Sequence, residues 1–156
     1  MGLGYGIYCE NCSYNFEAFL GVGMSYTKLY EDTISDIRKG KYGEEYKRFI
    51  EEHRMAYVDC ENDVAVCARC GKLDTVINMS LYLPNSETTN CQISHVTKAE
   101  LLWGYHKCME YNHKCSCGGD FQIVKNFFTS IEDGTIRCPR CKGMLQRDRD
   151  TMIFWD

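Results

Sequence analysis

Tyr14, Phe16, Ala18 and Leu20 alternate with Asn15, Glu17 and Phe19, the two-residue period of a half-buried strand. A short strand over residues 4–8, running through Ile7 and Tyr8, precedes it, and Gly21-Val22-Gly23 ends the run. A Gly-x-Gly after a strand can begin a phosphate loop, but the full Gly-x-Gly-x-x-Gly is missing, so a turn is expected. The period then lengthens. Tyr30, Ile34 and Ile37 share one face of a short helix predicted from about Tyr30 to Lys39, with Gly40 as its stop. Tyr46, Phe49, Ile50 and His53 fall at i, i+3, i+4 and i+7 of a second helix, about Glu44 to Arg54. His53 there borders a packed stripe.

Tyr57–Cys60 and Val64–Val66, joined by a turn at Glu61-Asn62-Asp63, are expected to make a hairpin leading into the second knuckle. Thr75 to Leu83 reads as a further β-rich run ending at Pro84, and Asn85 to Cys91 as a polar linker. Val96 to about Asn112 is predicted helical: Thr97 with Glu100 fits a capping box, and Val96, Ala99, Trp103 and Met109 lie near one face. Strands are expected at Asp120–Val124, Thr135–Cys138, Met144–Gln146 and Met152–Trp155, with a loop from Asn126 to Gly134.

Cysteine usage changes this picture most. The chain has 156 residues and eleven cysteines, and either half alone, at roughly 70 residues, would build a thin core in need of a staple. An odd count and a start without a signal-peptide h-region argue for free thiols in a reducing cytoplasm, where paired C-x2-C motifs mean metal. Gly6 also spoils a myristoylation signal at Met1-Gly2. Two cysteines two residues apart turn both sulfurs inward at a bend, and two such bends complete a tetrahedron. Read in order, Cys9, Cys12, Cys67 and Cys70 form one site, and Cys115, Cys117, Cys138 and Cys141 a second. The twenty residues between Cys117 and Cys138 match ordinary ribbon spacing. Cys115-Ser-Cys117 is one residue short, which leaves His113 as an alternative to Cys115.

The fold expected is thus α+β: two four-cysteine zinc ribbons built on small antiparallel sheets. Residues 1–84 form the first, with an inserted helical pair at about 30–55 packed on its sheet; a linker and helix at 85–112, expected to pack between the two metal modules, lead to the second at 113–156. Two structural Zn2+ ions per chain are expected, since four thiolates leave no position for a reacting water. Iron in a rubredoxin-like site is allowed by the same ligands. Thiol–disulfide chemistry would need a C-x-x-C pair at the start of a helix after a strand, which neither has. Cys60, Cys91 and Cys108 remain; Cys91 with His95, or His106 with Cys108, could in principle add a third site, but buried or idle thiols are the expectation.

The motifs also carry a resemblance. Tyr8-Cys-Glu-Asn-Cys-Ser-Tyr-Asn-Phe16 with Leu20-Gly-Val-Gly23, Cys67-Ala-Arg-Cys-Gly71, the Cys-x-Cys-Gly-Gly at 115–119 and the Cys-Pro-x-Cys at 138–141 resemble an uncharacterised double zinc-ribbon family of low-GC bacteria and their mobile elements. The departure is Cys115-Ser-Cys117, where such proteins more often have Cys-x-x-Cys. The resemblance implies fold and metal, and no activity.

Charge bears on partners. The formal net charge is −4, and two tetrathiolate sites would take it toward about −8, a field that repels phosphate. A protein partner is therefore the first expectation, with 13% aromatic residues and an inserted helix pair offering surface. Nucleic acid is the alternative, through Arg137, Arg140, Lys142, Arg147 and Arg149 near Phe127, Phe128 and Trp155, although Asp148 and Asp150 interleave these cations. No membrane span, phosphate loop, H-E-x-x-H or Ser/His/Asp arrangement is visible, so no catalytic residue, small-molecule substrate or enzyme activity is expected, the alternative being a thiol-dependent activity of Cys60 with His53 or His106.

Overall fold

The computed structural model describes residues 2–86 and 95–155. In chain order the first elements are β1 (Gly2–Cys9), β2 (Asn15–Leu20), α1 (Tyr26–Arg38), α2 (Glu44–Glu52), β3 (Tyr57–Val58), β4 (Asn62–Cys67), β5 (Leu73–Ile77) and β6 (Leu81–Pro84). After them come α3 (Lys98–Gly104), β7 (Tyr105–Met109), β8 (Phe121–Ile123), α4 (Phe127–Glu132) and β9 (Leu145–Trp155). The class is α+β with small antiparallel sheets, and two four-cysteine groups are consistent with two zinc ribbons.

The chain divides into two interleaved units. One comprises Met1–Gly23, Glu61–Asn78 and Asn112–Asp156; the other comprises Met24–Cys60 and Met79–Tyr111. The serial division into 1–84, 85–112 and 113–156 cuts across both. The expected linker at 85–91 lies largely outside the described residues.

In the first unit β1 is the centre of a sheet ordered β2-β1-β9. The alternation that predicts β2 is used as expected: Ala18 is fully buried, with Phe16 and Leu20 partly so, and Leu3 lies opposite Leu20. On the other edge Cys9 lies opposite Leu145, and Gly2 opposite Trp155. Met144–Gln146 and Met152–Trp155 are not separate strands, because the charged residues between them form a bulge in β9. Tyr5 pairs with Met152 and Ile7 with Arg147, and the Asp148 carboxylate closes the excursion by accepting the Asp150 N–H at 3.0 Å and the Thr151 hydroxyl.

A second sheet in this unit is ordered β5-β4-β8. Gly21 and Asn62 exchange backbone hydrogen bonds at 3.0 and 2.8 Å, which ties the end of β2 to β4. The predicted loop at 126–134 holds α4, whose Phe127 and Ile131, four residues apart, face inward. Thr135–Cys138 makes only an isolated bridge, Arg137 to Met144. Ile7, Ala18, Val64, Leu73, Phe127, Ile131 and Leu145 pack with Cys9 and Cys138 into one core. Part of that core is ligand sulfur.

The second unit contains α1, α2, α3 and the sheet β3-β6-β7. The expected hairpin over 57–66 does not form: β3 pairs with β6, whereas β4 belongs to the other unit. Likewise the run 75–83 is two strands, parted at Met79, whose φ is 65°. The helix predicted over 96–112 is seven residues long and becomes β7 at Tyr105. Its start is as predicted, with Thr97 and Glu100 forming a complete capping box. The two predicted helices are both present, Gly40 follows the end of α1 at φ 80°, and Tyr46 and Ile50 are buried on α2. They belong to this second unit and not to a ribbon.

Tyrosine dominates the interior here. The hydroxyls of Tyr26 and Tyr57 are 2.7 Å apart, Tyr30 stacks on Tyr57 with centroids at 5.6 Å, and Tyr42 and Tyr46 meet the edge of Tyr111. The buried carboxylate of Asp59 accepts from Lys98 Nζ at 2.6 Å.

Candidate metal centres

Each cysteine pair sits where a strand turns or a loop tightens. Three bends close alike: the N–H of the first cysteine donates to the carbonyl five residues on, Cys9 to Tyr14 at 3.0 Å, Cys67 to Lys72 at 2.8 Å and Cys138 to Gly143 at 2.9 Å. The shortened Cys115-Ser-Cys117 bend closes one residue sooner, Cys115 to Gly119 at 2.9 Å. It is the same knuckle with one residue removed. Cys115 is therefore placed with the other sulfurs, and His113 lies outside both groups, its carbonyl accepting from Phe121.

All eight expected cysteines come together, but in other pairs. Cys9 and Cys12 converge with Cys138 and Cys141, while Cys67 and Cys70 converge with Cys115 and Cys117. The reading that joined 9/12 to 67/70 and 115/117 to 138/141 is thereby corrected. The reason is the strand pairing. β9 adds to β1 and brings the last knuckle to the first, whereas β8 adds to β4 and brings the third to the second. One centre is nested inside the other along the chain.

The geometry suits a single ion in each group. Cys9 and Cys141 Sγ are 3.4 Å apart, Cys12 and Cys138 3.6 Å, Cys67 and Cys117 3.5 Å, and Cys70 and Cys115 3.8 Å. Sulfurs at the corners of a tetrahedron around a metal bound at ~2.3 Å would stand about 3.8 Å apart. A disulfide would need about 2.05 Å. Backbone N–H groups also point at the sulfurs. The N–H of Cys70 holds the Cys67 thiol down to about 6, and Cys138, despite burial, is held down to about 7 by the N–H groups of Cys141 and Arg140. Their neighbours respond oppositely: Cys117, although the Gly119 N–H pulls it down, is pushed up to about 11 by Cys67 and by burial. Four thiolates this close cannot all ionise without a cation among them. The donor set thus fits a metal ion.

Two further residues complete the inner centre, and sequence reasoning passed over them. A Cβ on Gly119 would stand 2.8 Å from Cys67 Sγ and 2.7 Å from Arg69 Cβ, so only glycine lets the third knuckle approach the second. Arg69 reaches across to donate to the Cys117 carbonyl at 2.8 Å. The Gly-Gly after Cys117 was the available signal.

The other candidates are not brought into either centre. Cys60 is fully buried in the second unit, and burial pushes its thiol up to about 12. Cys108 lies 3.7 Å from the His106 carbonyl, and His106 Nδ1 is 3.1 Å from Asn85 Oδ1. Cys91 is outside the described residues, and His95 meets the edge of the Tyr26 ring. His53 packs on Phe49 with centroids at 4.6 Å.

The basic segment is largely committed to the fold. The Arg147 guanidinium lies 4.2 Å from the Tyr5 ring centroid and 4.6 Å from that of Phe128, Arg137 donates to the Gly134 carbonyl at 2.7 Å, and Phe127 is buried. Arg140 lies over Tyr14 at 5.7 Å, and Arg140 and Lys142 are exposed. Among the described residues no helix is long and apolar enough to cross a membrane. No protein-family model, curated protein or solved structure matches the chain.

Proposed function

We propose that each four-cysteine group holds one structural Zn2+, and that the protein acts without catalysis, in the reducing cytoplasm, as a protein-binding adaptor. The observation that carries the metal reading is the closure of each tetrahedron by four sulfurs from the chain. Such a site braces two hairpins and offers no position at which water or substrate could be activated. Elemental analysis of protein purified without added metal should find two zinc ions per chain; one or fewer refutes this part.

Support for the adaptor reading comes from the exposed apolar side chains. On α3, Leu102 is 73% and Trp103 82% exposed. Tryptophan is the residue type most often found to dominate binding energy at protein interfaces. Met152 and Phe154 are also exposed on β9. The nucleic-acid alternative through residues 137–149 has less to draw on, because Arg147 and Phe128 face each other and Phe127 lies in the core.

Recovery of the tagged protein from its own cells, with and without nuclease, separates the two. A partner that survives nuclease and is lost in Trp103→Ala supports the adaptor. Nucleic acid that dissociates with salt and is lost in Arg140→Glu/Lys142→Glu supports the alternative.

A further inference from the structure

The residue after the second cysteine takes a left-handed backbone in three of the four knuckles: Gly71 at φ 74°, Gly118 at φ 79° and Lys142 at φ 61°. In all three its N–H donates back to the carbonyl of the first cysteine, Cys67, Cys115 and Cys138 respectively, at 2.8–3.0 Å. Glycine adopts this conformation freely and lysine does so only with strain. The strained position thus carries a side chain that two equivalent positions do without, and where that side chain goes becomes informative. Lys142 Nζ lies 3.6 Å from the point where a Cβ on Gly71 would stand, with Pro139 Cα 3.9 Å from the same point. The last knuckle, which belongs to the outer centre, therefore lays its ammonium on the knuckle of the inner centre, over Gly71.

On the inner knuckle itself Lys72 pairs with Asp74 at 2.7 Å and is held charged first by that carboxylate and then by Cys115 and Cys70, and Arg69 donates to the Cys117 carbonyl, so Lys142 is the cation that reaches this centre from the other knuckle. No ion pair to a carboxylate holds Lys142 among the described residues. Four thiolates around a dication leave an excess of about two negative charges at each centre, and two such centres repel.

Resting on the zinc reading above, we infer that Lys142 is a positioning cation through which the outer centre steadies the inner one. Its charge stabilises the thiolates of Cys67, Cys70, Cys115 and Cys117 from a knuckle that ligates elsewhere. The two sites are thereby linked: holding the outer knuckle in place holds the cation over the inner one.

The test starts from zinc-loaded protein in excess chelator at low salt, with mass spectrometry reading the order in which cysteines become open to alkylation. Lys142→Gln is expected to expose the inner four cysteines about five-fold sooner, Lys142→Arg to restore the original rate, and 1 M salt to close the gap by screening beyond ~3 Å. Lys142→Gly separates charge from strain. It should also hasten loss at the inner centre while leaving the unfolding temperature unchanged or higher. Unchanged inner-centre rates in both variants, or an acceleration at Cys9, Cys12, Cys138 and Cys141 as large as at the inner four, overturn the inference. Protein that carries no metal overturns it together with the zinc reading, whereas two bound ions with unchanged rates overturn it alone.

Discussion

The two units solve the problem of a small core by different chemistry. The unit containing both cysteine groups has two three-stranded sheets, one six-residue helix and a core that includes Cys9 and Cys138. Its elements come from three separated stretches of chain. Closing so many long loops costs entropy, and metal ligation at sites spread over all three stretches offsets part of it. The unit assembled from 24–60 and 79–111 has no such cluster among its described residues. It relies on two longer helices and a packed set of tyrosines with paired hydroxyls. Stability in the first unit therefore rests on metal and thiol chemistry together with burial, and in the second on burial without such a cluster among the described residues.

Metal removal should divide the two most sharply. A chelator withdraws an apparent ~10–16 kcal/mol per site, so amide exchange protection should vanish from β1, β2, β4, β5, β8 and β9 and persist in α1, α2, β6 and β7. Uniform loss throughout would show that the second unit depends on the first. Next in size come single ligand changes, which test the pairing. Cys138→Ser should match Cys9→Ser in melting temperature and metal content, each retaining one ion, and Cys67→Ser should match Cys115→Ser. Double variants within a pair, such as Cys9→Ser/Cys138→Ser, should cost little more than either single change, whereas Cys9→Ser/Cys67→Ser should lose both ions.

Gly119→Ala forces a methyl against Cys67 Sγ and should cost about 2 kcal/mol in thermal unfolding, with weakened metal retention at the inner centre alone. In the tyrosine-rich unit burial raises the phenols of Tyr26 and Tyr57; the hydroxyl pairing adds to the rise at Tyr26 and opposes part of it at Tyr57. A group whose folded value is raised contributes stability that is complete below its unfolded value, about 10, and is lost as pH rises beyond it. Protection in α1 and β3 should thus decline above pH 10, and phenolate absorbance for these two side chains should emerge only with unfolding. The smallest effect is a gain. The Tyr46 hydroxyl is buried with no hydrogen-bond partner among the described residues, so Tyr46→Phe should be neutral or stabilise by up to about 1 kcal/mol in denaturant unfolding.

Much of this was legible in the residues, and the exceptions share a cause. Ligand identity is local: two cysteines at a bend declare themselves, and even the shortened Cys115-Ser-Cys117 needed only its following glycines to close. Helices α1 and α2 and the Thr97 capping box are local as well. Pairing is not local. Four knuckles can combine in more than one way, and the choice is made by β9 reaching β1 across the length of the chain. The same distance hid the two units, since Tyr57–Val66 reads as one hairpin until β3 and β4 are seen in different sheets. β7 was lost to the helical periodicity of Val96, Ala99 and Trp103, which ends after α3 because the strand β6 claims residues 105–109 by pairing.

The nesting of the centres sets an order in time. As the chain is synthesised, Cys67, Cys70, Cys115 and Cys117 are all available before Cys138 emerges, so the inner ribbon can fold on its own ion. Cys9 and Cys12 must wait, as reduced and accessible thiols, for a partner 126 and more residues downstream. Through that interval the nascent N-terminal knuckle can be oxidised, or can share an ion with the wrong pair, Cys67 and Cys70. Rescue from that trap depends on metal exchange once Cys115 and Cys117, and then Cys138 and Cys141, have emerged.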